Sequence, residues 1–199
     1  MYLPLVGNDR LAIVHQGHSD LLGSNGLREV ADDLIERGYA VLLAGMPGRA
    51  GNRGSPDHGS YTSLRPFVAH VNAALNALPQ YQHVTMIGLS GGGWTTTVYS
   101  AIDERIDLSI DVAGSLPMHL RAPTAPIDWE QVKITEEATY QELYLLATSG
   151  GRKRIHILNR FDSCCFAHSG TGGAYGNGYE ATVVWPINLL AFIVGGTFE

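Results

Sequence analysis

Ser90 stands among glycines in the stretch Met86–Thr95, MIGLSGGGWT, where an apolar run meets a helix-like segment. Gly88-Leu89-Ser90-Gly91-Gly92 fits the pattern G-x-S-x-G, in which a strand turns sharply into a helix and leaves a serine hydroxyl exposed at the apex. Small neighbours are needed there, because a side chain on either flank would clash with so tight a turn. A serine hydroxyl is a poor nucleophile until a base takes its proton, and the apex of such a turn is open to base and substrate alike.

Other residues able to do chemistry are scattered. His15 and His18 sit in HQGH, but no carboxylate or cysteine near them in sequence completes a ligand set, so neither a metal nor another cofactor is expected. Asp162 follows the apolar stretch RIHILNRF, and Asp111 lies inside another, where pairing with backbone is expected. Arg49 and Arg53, in the loop from Gly45 to Ser60, carry the charge to meet a substrate carboxylate, although charged loop residues are ordinarily just solvated. Cys164 and Cys165 are adjacent, a poor arrangement for a structural disulfide, and read as small buried residues. In GTGGAYGNG, Tyr175 stands where a dinucleotide-binding loop needs its third glycine, and no helix signal follows, so the run reads as a loop.

The elements that must position these groups alternate in type. RLAIVHQ, YAVLLAG, HVTMIGL, LSIDVAG and RIHILNRFD read as five short buried strands. Between them, Leu27, Val30, Leu34 and Ile35 form one helical stripe that stops at Gly38, and Leu64, Phe67, Val68, Val71, Leu75 and Leu78 form a second that stops at Pro79. A third helix should begin near Gly92 and a fourth should cover TYQELYLLATSGG. Strands separated by helix-length segments pair in parallel, which predicts an α/β fold: a mostly parallel central sheet covered by helices on both faces. In such a sheet functional groups gather beyond the carboxyl ends of the strands. His18, Ser90 and Asp162 should therefore share one edge, with MIGL near the centre of the sheet.

With 199 residues, 45% of them hydrophobic, residues 1–199 suit one domain with a sizeable core. The formal net charge of -6 argues against a nucleic-acid or anionic-membrane surface. The start, MYLPLVGNDR, lacks a secretory pattern, and the most apolar segment, ATVVWPINLLAFIVGG, holds Pro186 and Asn188 and is shorter than the roughly 20 residues a membrane span requires. A cytoplasmic protein with no membrane span is expected, with that segment in the core. From about residue 167 the composition changes: there is no Lys or Arg, and the only acids are Glu180 and Glu199.

A strand ending in HQGH, a strand-turn-helix around GLSGG and an Asp after a later strand together resemble the α/β-hydrolase superfamily, over residues 10 to about 166. The resemblance implies an esterase-type serine hydrolase that cleaves a small carboxylic ester through an acyl-enzyme. Ser90 would be the nucleophile, Asp162 the acid that orients the base, and the backbone N–H groups of Gly91 and His18 the oxyanion hole; Asp111 is the alternative acid. The chain departs from the pattern after Asp162. The superfamily's base comes last, after a further helix and strand, and these are not evident here; His168 is the only histidine in the expected order. An atypical or truncated carboxyl-terminal region is one expectation from this departure. The alternative to an esterase is a catalytically impaired hydrolase-fold protein that binds a small molecule.

Overall fold

A computed structural model describes residues 9–18, 26–47, 58–121, 127–159, 162, 166 and 178–199. Among the described residues six strands form one sheet, all parallel: β1 (Arg10–His15), β2 (Ala40–Ala44), β3 (His83–Leu89), β4 (Leu108–Val112), β5 (Lys153–Ile157) and β6 (Thr197–Phe198), in the spatial order β2-β1-β3-β4-β5-β6. β1 shows why the strands carry no polar face. Leu11 and Ile13 pack on one side with Val71, Leu75 and Tyr99, while Ala12 and Val14 pack on the other with Leu27 and Ala31, and all four are buried. A strand covered on both faces reads as a continuous apolar run.

The helices follow from the stripes and their stops. α1 (Leu27–Glu36) ends before Gly38, whose φ of 85° suits a residue without Cβ. α2 (Arg65–Ala77) has proline in its first turn and turns extended at Leu78, ahead of Pro79. α3 (Gly91–Ile102) is buried from Gly91 through Ser100, and the hydroxyls of Thr95, Thr96 and Thr97 donate to the carbonyls of Gly91, Gly92 and Gly93, so none of these three hydroxyls is left unpaired. α5 (Tyr140–Thr148) opens on a reciprocal cap between Thr139 and Glu142. α4 (Trp129–Lys133) is a short helix in the connection between β4 and α5, where the sequence offered no helix signal.

From β1 the chain moves outward to β2, and from β2 it crosses back and adds β3 to β6 in the other direction. Right-handed crossovers then place α1 on one face and α2, α3 and α5 on the opposite one, as the packing shows. The reversal falls between β1 and β3, the place where open α/β sheets receive ligands.

The carboxyl-terminal region corrects the sequence reading twice. A helix and a strand do follow Asp162: a wide π-type turn at Glu180–Val184 leads into α6 (Trp185–Ile193), and β6 pairs with β5. Their signal was faint because β6 has two residues and α6 contains a proline. The apolar segment is also only half core. Val183, Ile187 and Ala191 are buried, whereas Trp185, Leu189, Phe192 and Ile193 are exposed. Among the described residues no helix is long and apolar enough to cross a membrane.

Candidate active site

β3 delivers Ser90 at its carboxyl end, and α3 begins at the next residue. Ser90 has φ 55° and ψ -125°, a conformation that serine rarely adopts, and it is exposed. Its N–H donates to the Val112 carbonyl (2.9 Å), and its carbonyl accepts from Trp94 N–H (3.0 Å), so backbone on both sides fixes the turn. The glycines are required by close approach: a Cβ on Gly88 would overlap the Gly92 carbonyl, and one on Gly92 would overlap the carbonyl of His15. These contacts press β1, β3 and α3 together beneath the serine.

The loop after β1 meets the same turn. A Cβ on Gly17 would lie 2.7 Å from Leu89 O, 3.0 Å from Ser90 Cβ and 3.3 Å from Gly91 N. The His18 ring covers Gly91, with Nδ1 2.6 Å from where a Cβ would stand. The first N–H groups of α3 have no partner within the helix, and the helix dipole makes that end attractive to negative charge. Ser90, Gly91 and His18, which the sequence singled out, are thus neighbours. Asp162 is half-buried and follows β5 in the sequence. His168, Arg49, Arg53, Cys164 and Cys165 lie outside the described residues.

Sequence reading missed what surrounds His18. Its Nε2 is 3.0 Å from Glu130 Oε1, and His58 Nδ1 is 3.4 Å from Glu130 Oε2. His58 lies near the end of the Gly45–Ser60 loop and Glu130 on α4, so the carboxylate absent from the sequence around His18 arrives from 112 positions away and a further imidazole from 40. Glu130 is fully buried. Burial alone would raise its carboxyl above the usual range, but the hydrogen bond from His18 and the nearness of His58 outweigh it and bring the group down to about 2.

Two further histidine sites flank the region. His15 Nε2 meets His70 Nε2 at 3.1 Å, and His70 Nδ1–H donates to the Pro66 carbonyl (3.1 Å). Burial, then the neighbouring His70, pushes His15 down to about 3, so it is neutral at pH 7. On β4, Asp111 does not pair with backbone as expected. It accepts from Arg154 (2.5 Å) and from Ser115 Oγ (2.9 Å), with His156 Nε2 3.3 Å away, and Asp111 and Arg154 are both fully buried. Asp111 therefore belongs to a buried network that ties β4 to β5. Burial foremost holds His156 below its ordinary range. His15, His18, His58, His70 and His156 all hydrogen-bond groups other than Ser90.

No protein-family profile matches the sequence, and no curated protein matches it. Solved structures are similar in fold. Est1E from Butyrivibrio proteoclasticus, in a structure with ferulic acid bound, is 14% identical with a TM-score of 0.64, over 100% of this chain and 82% of that one. A structure from work on LipS and LipT, metagenome-derived lipolytic enzymes, is 18% identical with a TM-score of 0.61, over 98% of this chain and 83% of that one. The Pyrococcus furiosus esterase Pf2001 is 13% identical with a TM-score of 0.58, over 96% of this chain and 71% of that one. The chain has the α/β-hydrolase fold.

Proposed function

We propose that the protein is a serine hydrolase acting on a small carboxylic ester, with Ser90 as nucleophile. The observation that carries this reading is the backbone of Ser90 itself, a strained and exposed turn held between β3 and α3 by glycine contacts. The esterase and lipolytic names of similar folds support the class. In this reading Ser90 Oγ attacks the ester carbonyl carbon while its proton passes to an imidazole. Negative charge collects on the carbonyl oxygen, where the N–H groups of Gly91 and His18 stabilise it. The alcohol leaves with the proton from the imidazole, and water then releases the acid from Ser90 by the same steps. Asp162 orients the imidazole, and chain order alone assigns that imidazole to His168.

Pre-steady-state hydrolysis of an activated aryl ester tests this. A burst of one equivalent of phenol per chain, absent in Ser90→Ala, is the expected result. Absence of both burst and turnover in the unmodified protein would instead leave a hydrolase-fold protein that binds without cleaving. In single-turnover acylation, loss of several orders of magnitude in His168→Ala but not in His18→Ala confirms the base. Equal rates in unmodified protein and His168→Ala remove it from the mechanism.

A further inference from the structure

His18, His58 and Glu130 each offer one ligand atom, and these atoms lie within 4.8 Å of one another. The His58 Nε2–H donates to the Pro47 carbonyl at 3.0 Å, which leaves Nδ1 as the ring nitrogen directed at Glu130. Glu130 Oε2, at 3.4 Å, accepts no hydrogen bond although it is fully buried. The carbonyl-bound far nitrogen is also the outer-shell partner that metal-binding histidines usually have.

We propose that His18 Nε2, His58 Nδ1 and the Glu130 carboxylate form a binding site for a divalent transition ion of the zinc class. Two imidazoles and a carboxylate suit zinc or cobalt, whereas magnesium and calcium prefer oxygen throughout. Tetrahedral ligands at about 2.0–2.2 Å from zinc stand roughly 3.3 Å apart, and each imidazole lies near that distance from one Glu130 oxygen, His18 at 3.0 Å from Oε1 and His58 at 3.4 Å from Oε2. As the ion enters, it replaces the proton between His18 Nε2 and Glu130 Oε1, and the neutral ring carries its proton on Nδ1 instead. Three protein ligands leave a fourth position for water, and His18 is the one of the three that is partly exposed, at 23%. The ion joins the β1 loop, the turn at His58–Ser60 and α4, and fixes the His18 ring over Gly91. The site stands apart from the hydrolase reading, because it is read by metal content rather than turnover.

Titrating chelator-treated full-length protein with cobalt(II) tests the site. A ligand-field band of four- or five-coordinate intensity that saturates at one cobalt per chain, and is bleached by zinc, is the expected result. Glu130→Gln and His58→Ala should weaken cobalt by more than the roughly 10–100-fold that loss of an outer-shell partner costs. X-ray absorption on the zinc-loaded unmodified protein needs no variant to fold, and it should count two imidazoles plus oxygen at about 2.0–2.2 Å. No saturable band, a band unchanged in folded variants, or a shell without two imidazoles would overturn the proposal.

Discussion

Gly17 lies so close against Ser90 that a Cβ on the glycine would stand 3.0 Å from Ser90 Cβ and 2.7 Å from Leu89 O. The second of these is backbone that cannot swing aside. Gly17→Ala must therefore push the β1 loop away from the serine turn, and with it the N–H of His18. Since misplacing a transition-state contact by about an ångström costs on the order of a hundredfold, kcat on an aryl ester should fall by about that factor with KM little changed. An unaltered kcat in a folded variant would separate the loop from the reaction.

Ser90 holds φ 55° against its own preference. Glycine at this position has no such penalty, so Ser90→Gly should unfold at a higher urea concentration than Ser90→Ala, by about 1 kcal/mol. Equal midpoints would mean that the turn stores no strain.

Asp111 and Arg154 are both fully buried and 2.5 Å apart. Removing one leaves the other charge uncompensated. Asp111→Asn and Arg154→Met should each lose about 3–5 kcal/mol, and the double variant clearly less than the sum. Additive losses in urea unfolding would show that the pair is not coupled.

Stability should fall as the solution is acidified from neutrality. The folded pKa of His15, about 3, lies below the ordinary value near 6.5, so below pH 6.5 the unfolded chain takes up a proton that the folded chain refuses. The loss proceeds from about pH 6.5 toward 3, at up to ~1.4 kcal/mol per pH unit. Burial also lowers His70 and His156, which adds slope of the same sign. Glu130 contributes only lower down, between the ordinary glutamate range and its folded value of about 2. Urea midpoints at about pH 7.5, 6.5 and 5.5 therefore isolate the histidines. His15→Gln should flatten the series, and a flat series in the unmodified protein would contradict the buried neutral state.

Local features were legible in the sequence and distant contacts were not. HVTMIGL names β3 residue for residue, because a central strand buried on both faces leaves an unbroken apolar run. Ser90 was legible for a related reason, since a tight turn imposes its glycines within a few positions. α4 was not, because five residues between irregular segments show no period. Nor was the grouping of His18 with His58 and Glu130, because contacts across 112 positions leave no mark on spacing. The pairing of Asp111 was misread because a buried ion pair needs Arg154 on the next strand, which parallel register supplies but sequence distance conceals.

Labelling of the unmodified protein with a serine-directed fluorophosphonate, followed by peptide mass mapping, tests the role of Ser90 most directly. One adduct per chain on the peptide carrying Ser90, and none in Ser90→Ala, is the predicted result. An adduct on another residue, persistence of the label in Ser90→Ala, or no adduct on folded protein would contradict Ser90 as the nucleophile.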